Sequence, residues 1–235
     1  MGAKEKALEL MERDPVLYMD MLGPFHRGMT EIVAQSEEGL LLYNAPGRAY
    51  MLAADTRAEA EALCAGVESM AIATAHSREA GEFLRDRFGL PDLQPCTQAA
   101  YLVSTPLPLE GEVEIRQLGQ SYFSVVLENY HTFTDGEYVR RRIDAGVMHG
   151  AFREGELLGF IGMHDEGSVG MLEVLPPHRR QGAAAALMAF MTNWCLARGW
   201  VPFSQIFAGN EASLALHRRV GWTLSQKPMY WVMPE

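Results

Sequence analysis

The chain has 235 residues, of which 48% are hydrophobic and 21% are charged, and its formal net charge is −10. Enough apolar residues are present to bury a core, which excludes a disordered chain, and the acidic balance argues against broad binding to nucleic acid or to an anionic membrane. No stretch approaches the roughly 18 apolar residues of a membrane span, and we predict a cytoplasmic protein.

The first half of the sequence has the pattern of an α/β unit. An amphipathic helix is predicted over 4–13, and a short one follows to about residue 22. Two further helices follow residues that favour helix N-caps, Thr56 and Ser77, and the second of them is predicted to end at Gly89. Four segments between the helices read as strands: TEIVAQ, GLLLYN, AYMLAAD and SMAIATA. No catalytic constellation is visible in this half, and His76 reads as a polar loop residue.

The best domain boundary lies in the segment STPLPLEG, residues 104–111, which places two prolines and a glycine between two strand-like runs. We therefore predict a smaller N-terminal α/β domain over residues 1–108. A second domain is predicted over residues 112–235.

The second half has a clearer pattern. A strand over 113–118 is followed by two helices, over 119–133 and 136–146. Three antiparallel strands then fill 147–175, with hairpin turns at Glu154-Gly155 and at 165–167. A helix over about 181–198, a strand ending at Phe207, a helix from Asn210 to Val220 and two terminal strands complete the chain. The predicted order is β-α-α-β-β-β-α-β-α-β-β.

One stretch of this half, LEVLPPHRRQGAAAALM over 172–188, has features of an anion site. The first turn of a helix presents unpaired backbone N–H groups and about half a positive charge. Gly182 lets the backbone approach a ligand closely, while Arg179 and Arg180 add cationic donors. The stretch therefore suits a phosphate or pyrophosphate, although an ordinary helix start with solvated arginines fits the composition equally well.

The same stretch resembles the acyl-CoA signature of the GNAT superfamily of N-acetyltransferases. The family pattern R/Q-x-x-G-x-G/A is met by Arg179, Gly182 and Ala184. A second signature, an asparagine followed by small and apolar residues and then by Gly and an aromatic, is matched by NEASLALHRRVGW over 210–222. The resemblance covers roughly residues 111–235, and GMLEVLPPHRRQG with VPFSQIFAGNEAS most resembles the glycine N-acyltransferase-like branch, whose members carry an additional N-terminal domain.

The resemblance implies a fold and a cofactor site. The fold is α/β (α+β): a GNAT fold with a central mixed, mostly antiparallel sheet, preceded by the smaller N-terminal α/β domain. The strand ending at Val174 and the one containing Phe203 are expected to splay apart around the thioester of acetyl-CoA, the co-substrate. The residues that the resemblance assigns to the cofactor are Leu172, Glu173, Val174, Arg179, Arg180, Gln181, Gly182, Ala183, Ala184, Ala185 and Asn210.

The catalytic groups are less well defined by the resemblance. Many relatives place a tyrosine in the second signature to protonate the departing thiolate, and this chain has His217 there, which we predict to be catalytic as a proton donor. Some relatives have a glutamate where this chain has Gln205, and an amide cannot take a proton, so Gln205 is predicted to orient substrate or water. For a base, His149, His164 and Asp165 stay open, and so do Glu173, unless strand alternation turns it away from the slot, direct attack by an amine that is already neutral, and deprotonation through water.

We therefore predict an acetyl-CoA-dependent N-acetyltransferase that transfers an acetyl or other short acyl group to a primary amine. The alternative is a non-catalytic acyl-CoA-binding GNAT-fold sensor or partner module. The expected partner is a small-molecule or peptide amine, with no nucleic acid, no membrane and a monomeric or homodimeric state. Three widely spaced cysteines show no metal-ligand spacing, so we expect a reducing compartment and no metal.

Overall fold

The computed structural model describes residues 2–109, 113–130 and 135–234. Within these ranges the helices are α1 Ala3–Met11, α2 Met19–His26, α3 Arg57–Leu63, α4 Arg78–Phe88, α5 Phe123–Asn129, α6 Gly136–Asp144, α7 Ala183–Leu196 and α8 Glu211–Arg219. The strands are β1 Thr30–Gln35, β2 Leu40–Asn44, β3 Ala49–Ala53, β4 Ala73–Ala75, β5 Asp92–Ala100, β6 Glu114–Gln117, β7 His149–Arg153, β8 Glu156–Met163, β9 Val169–Val174, β10 Phe203–Phe207, β11 Thr223–Leu224 and β12 Met229–Met233. The end of the predicted linker, 110–111, and the last three residues of the helix predicted over 119–133 lie outside the described residues.

Local chemistry explains where several helices begin and end. The Thr56 side chain accepts a hydrogen bond from the Glu59 amide at 3.3 Å, and Ser77 accepts one from the Ala80 amide at 3.1 Å. Helix α4 ends at Gly89, whose φ of 67° is readily available only to glycine. These caps confirm the helix starts predicted at Thr56 and Ser77, and the end predicted at Gly89.

The strands form two sheets. The larger sheet has the order β1-β2-β3-β4-β12-β5-β10, with β11 also paired to β5, and the smaller one has the order β6-β7-β8-β9. Strands β3 and β4 are parallel, while the other pairs are antiparallel. This mixed, mostly antiparallel arrangement with an N-terminal α/β portion confirms the predicted fold class.

The larger sheet contains strands from both halves of the chain. Strand β12, close to the C-terminus, lies between β4 and β5, and β5 also pairs with β10. The predicted division into residues 1–108 and 112–235 stays a prediction, and one hydrogen-bonded sheet crosses it. The predicted linker is also held in place: the Leu107 amide donates to Asn193 Oδ1 at 2.7 Å, and Asn193 Nδ2 donates to the Leu107 carbonyl at 2.8 Å.

A buried ion pair lies inside the N-terminal half. His76 Nε2 contacts Asp20 Oδ1 at 2.8 Å and His76 Nδ1 contacts the Leu52 carbonyl at 3.0 Å, with both side chains almost completely buried. Because the carboxylate and the carbonyl can only accept, both ring nitrogens donate and the imidazole is charged. His76 does lie in the loop between β4 and α4, as predicted, but its burial and its ion pair were not predicted, because the sequence does not show that α2 brings Asp20 beside it.

We expect His76→Phe to lower the free energy of unfolding by about 3–5 kcal/mol, because it leaves the Asp20 carboxylate buried without its charged partner. Burial lowers the pKa of His76, but Asp20 and the Leu52 carbonyl outweigh that effect and raise it overall. The pair's contribution is therefore complete below the unfolded pKa of about 6.5 and is lost as the pH rises through the raised folded value.

Urea denaturation at several pH values measures this effect. The control is Arg13→Ala, which removes the exposed Arg13–Glu38 pair and should cost no more than about 1 kcal/mol. A His76→Phe variant as stable as the parent at pH 6 would show that the buried pair does not stabilise the fold.

Candidate active site

A cavity of about 310 Å³ opens where the two sheets meet. Strand β9 ends the smaller sheet and β10 forms an edge of the larger one. The two strands approach each other near their first residues, where Ser204 Oγ donates to the Val169 carbonyl at 2.7 Å. Residues of both strands line the cavity. The two strands predicted to splay apart therefore belong to different sheets.

A β-bulge shapes the β9 side of this cavity. Phe160 pairs with Glu173 and Gly162 pairs with Gly170, so β9 has one more residue than β8 in this interval. Met171 takes up the extra length with a φ of 50°, which is unusual for a residue other than glycine. Met171 packs in the cluster that includes α5 and α6, whereas Leu172 packs against the cluster that includes α7. At the bulge, neighbouring side chains of β9 therefore pack into two different hydrophobic clusters.

Close backbone packing holds the bulge against β8. A Cβ atom placed on Gly159 would lie 2.4 Å from the Glu173 carbonyl oxygen. Only glycine lets the two strands approach this closely.

The predicted anion site is the first turn of α7. Helix α7 begins at Ala183, two residues later than predicted, because Gly182 is its N-cap with a φ of 89°. A Cβ placed on Gly182 meets nothing within 4 Å, so the space beside this backbone is open. Residues 179–182 are exposed, and Arg180 also has a positive φ of 64°. The unpaired N–H groups of a helix start therefore face an open surface with arginines beside it.

Two side chains of this turn have structural partners. Arg179 Nε donates to the Val174 carbonyl at 3.2 Å, which ties the turn to the end of β9. Gln181 accepts from Arg153 at 3.0 Å and donates to the Pro177 carbonyl at 3.2 Å. The Val174 carbonyl, assigned from the resemblance to the cofactor strand, is thus occupied by Arg179.

The cavity collects some of the predicted residues. The predicted residues that line it are Leu172, Glu173, Gln205, Asn210 and His217. Val174 and the turn from Arg179 to Ala185 lie outside it. Asn210 is the N-cap of α8, where its side-chain oxygen accepts from the Ser213 amide at 3.0 Å.

His217 is one of the residues that line this cavity. The residue is only 3% exposed, and its ring lies edge-on to Trp222 with centroids 5.0 Å apart. Nδ1 lies 2.8 Å from the Ser213 carbonyl, which requires a proton on Nδ1, whereas Nε2 is buried and has no hydrogen-bond partner among the described residues. Asn210, Ser213 and His217 all line the cavity, so they share one face of α8 as their spacing predicts.

The geometry changes the expected direction of proton transfer at His217. Burial lowers the pKa of His217, and the hydrogen bond to Ser213 only partly offsets this. The ring is then neutral near pH 7, with its proton on Nδ1 and a lone pair on Nε2. Nε2 is therefore arranged to accept a proton or a hydrogen bond, and the donor role predicted from the family tyrosine requires the ring to be charged first.

A second polar group lines the cavity beside β9. Tyr138 Oη lies 2.5 Å from His164 Nδ1, and Tyr130 Oη lies 3.5 Å from His164 Nε2. Burial lowers the pKa of His164, so its ring is neutral in this setting. Asp165 is held by ion pairs with Arg141, at 3.3 Å, and with Arg142. The two tyrosines were not predicted as site residues, because no local pattern indicates that α6 approaches the turn after β8.

The other predicted base does not reach the cavity. His149 packs its ring on Phe190 and Trp194 of α7, with centroids 4.8 and 6.1 Å away. Burial lowers its pKa to about 4. By contrast, Gln205 lines the cavity, and its Nε2 is buried with no hydrogen-bond partner in the described part of the chain.

The N-terminal half contributes directly to this site. Gly47 and Ile72 line the cavity. Asn44 Nδ2 donates to the Glu166 carbonyl at 3.4 Å, and Arg27 Nη2 donates to the Gly167 carbonyl at 3.3 Å. These contacts fix the turn between β8 and β9 against the larger sheet.

Known proteins resemble this chain in sequence and in fold. Residues 113–222 match the Acetyltransferase (GNAT) family. The matched segment begins just before β6 and ends at Trp222, so it includes both signatures.

Solved structures share the fold along the whole chain. A Drosophila protein is 19% identical with a TM-score of 0.60, and the alignment covers 99% of this chain and 97% of that one. A GNAT-family acetyltransferase from Colwellia psychrerythraea is 13% identical with a TM-score of 0.54, covering 99% and 98%. A GCN5-related N-acetyltransferase-like protein from Streptococcus suis is 15% identical with a TM-score of 0.52, covering 96% and 98%. No curated protein gives a significant match to the sequence.

The family match supports an acetyltransferase in general. At these identities the structures show the fold alone, and the glycine N-acyltransferase-like branch stays a prediction. Among the described residues no cluster of three or more His, Cys, Asp or Glu side chains could hold a metal ion. No helix in the described ranges is both long and apolar enough to cross a membrane.

Proposed function

We propose that this chain is an acyl-CoA-dependent N-acyltransferase that transfers an acetyl or other short acyl group to a primary amine. The observation that carries the proposal is the cavity between β9 and β10, which His217 of α8 lines, and the Nε2 atom of this residue is buried with no hydrogen-bond partner among the described residues. The membership of residues 113–222 in the GNAT family supports the same reaction. We also propose the cytoplasm as its location, a monomer or homodimer as its state, and the glycine N-acyltransferase-like branch as its closest relatives.

The residues present fit acetyl-CoA as the donor. The open backbone at Gly182 and the exposed Arg180 suit its pyrophosphate. Leu172 and Glu173 of β9, together with Asn210 of α8, lie along the cavity and suit its arm. When bound, acetyl-CoA supplies an activated acyl thioester.

The chain's own groups then manage protons and position the amine. An amine must lose a proton to react, and a neutral imidazole with a lone pair on Nε2 can accept one directly or through water. His217 has this form. Gln205 cannot take a proton, but its amide N–H group can hold a substrate or water oxygen. Glu173 of β9 also lines the cavity.

A second candidate is a non-catalytic acyl-CoA-binding module. Two observations favour it: Gln205 replaces an ionisable residue, and the neutral His217 does not carry a proton on Nε2 to give to a thiolate. Such a module would bind acetyl-CoA at the same helix start and would release no thiol.

Two measurements on the purified chain test the proposal. Isothermal titration with acetyl-CoA should show a single site. A thiol-release assay with a panel of primary amines should show amine-dependent production of CoA, whereas tight binding without thiol release would favour the second candidate.

A further inference from the structure

Two glutamines lie opposite each other on the strands β5 and β10. Gln98 of β5 is the direct partner of Gln205 of β10, so their side chains lie on the same face of the larger sheet. The neighbouring pairs on this face are apolar and pack in two hydrophobic clusters; they are Cys96–Phe207 and Ala100–Phe203. The two amides are therefore a polar interruption between two apolar pairs.

The Gln98 side chain is completely buried. It is 0% exposed, and neither its Nε2 nor its Oε1 atom has a hydrogen-bond partner among the described residues. Its backbone is held, because Gln98 N donates to Ser225 Oγ at 3.1 Å and Ser225 N donates to the Gln98 carbonyl at 2.8 Å. Gln205 Nε2 is also buried without a partner in the described ranges. Within the described chain, three amide atoms of one cross-strand pair thus lack the hydrogen bonds that buried polar groups almost always make.

The chemistry of these three atoms matches one water molecule. A buried water typically makes about three hydrogen bonds to polar groups that would otherwise have none. Two of the atoms, Gln98 Nε2 and Gln205 Nε2, carry N–H groups that donate, and Gln98 Oε1 accepts. A water oxygen can accept from both N–H groups while one of its O–H groups donates to Gln98 Oε1.

We propose that Gln98 is a positioning residue, which holds the amide of Gln205 through one buried water. This inference rests on the proposed function, in which Gln205 holds a substrate or water oxygen in the cavity that it lines. One N–H group of Gln205 Nε2 donates to the buried water, which leaves the second N–H group for the cavity. Gln98 is not among the described residues that line the cavity, so it acts on the reaction through Gln205.

Thermal unfolding tests the buried water without any catalytic readout. Gln98→Met keeps a side chain of similar length and removes both amide atoms. If a water satisfies the amide, the variant loses hydrogen bonds and its thermal midpoint should fall by about 2–4 °C. If the amide is unsatisfied, its removal is favourable and the midpoint should rise. The control Gln94→Met makes the same change at an exposed position of β5, and it should shift the midpoint by less than about 2 °C.

A double-mutant cycle tests whether Gln98 acts through Gln205. The assay measures thiol release from acetyl-CoA with the primary amine of the panel that the parent acetylates fastest. Gln98→Met should lower kcat/KM for this amine by about fivefold to tenfold, which corresponds to the loss of one hydrogen bond. In the Gln205→Met background the same replacement should change kcat/KM by less than about twofold. Gln94→Met should leave kcat/KM at the parent value.

Three outcomes would overturn the inference. A thermal midpoint that rises in Gln98→Met contradicts the buried water, and equal losses of kcat/KM in the two backgrounds contradict the positioning role. A high-resolution crystal structure of the chain should show one water within hydrogen-bond distance of the three amide atoms, and a direct Gln98–Gln205 hydrogen bond in its place is the third. If no amine is acetylated, the proposed function fails, and the thermal midpoint and the crystal structure still decide whether a water joins the two glutamines.

Discussion

Replacing Gly182 by valine is expected to weaken acetyl-CoA binding by about 10²-fold, because a branched side chain would fill the open space beside the first turn of α7. That space is open in the structure, since a Cβ at Gly182 meets nothing within 4 Å. Valine at a φ of 89° is also strained, so some loss of stability is expected at this helix end. Isothermal titration with acetyl-CoA gives the dissociation constant directly.

Gly199 provides a matched control for the strain. It follows the other end of α7, has a φ of 69°, and likewise has nothing near its missing Cβ. Gly199→Val should therefore lower the thermal midpoint by a similar amount while leaving acetyl-CoA affinity close to that of the parent. Equal losses of affinity in the two variants would show that strain, not a blocked site, explains the effect at Gly182.

Replacing His217 by phenylalanine is expected to lower kcat by about 10²-fold, within the usual range for a group that transfers a proton. Phenylalanine keeps an aromatic ring against Trp222 and removes both imidazole nitrogens. His217→Tyr returns a polar group, but a neutral phenol is a far weaker base than an imidazole, so this variant should recover little of the rate. The affinity for acetyl-CoA should change little in both variants, as measured by calorimetry beside steady-state kinetics.

The pH dependence separates a catalytic role from a structural one. Burial lowers the pKa of His217 below its usual value of about 6.5, so the neutral ring dominates at neutral pH. Activity that needs the Nε2 lone pair is thus present at neutral pH and is lost as the pH falls through the lowered pKa. This acidic limb should be missing in His217→Phe and present in the control His26→Phe, whose ring is exposed outside the cavity. A phenylalanine variant with full activity would assign His217 to packing alone.

Much of the fold was predictable because local signals govern helix ends and hairpins. Thr56, Ser77 and Gly89 specify caps by their own chemistry. Glu154 and Gly155 both adopt positive φ in the turn between β7 and β8, as the tight hairpin requires. The insertion of β12 between β4 and β5 was not predictable, because the pairing of residues more than 130 positions apart leaves no local pattern in either strand.

The candidate site also has one part that was predictable from the sequence and another that was not. The helix start at Gly182 and the face of α8 that bears His217 were predictable, since each lies within one contiguous signature. The rest of the cavity was not predictable, because Tyr138, His164 and Ile72 come from separate elements that only the tertiary structure brings together. The buried pair of Asp20 and His76 was likewise not predictable, because its two residues come from separate elements.

Transfer of an acyl group from acyl-CoA to an amine in the cavity between β9 and β10 is tested most directly by mass spectrometry, after incubating the chain with trideuteroacetyl-CoA and 2-phenylethylamine. We expect free CoA and the trideuteroacetyl amide in equal amounts, both strongly reduced in the Gly182→Val variant. Acetyl-CoA that binds but remains intact with every primary amine of the panel would contradict this expectation.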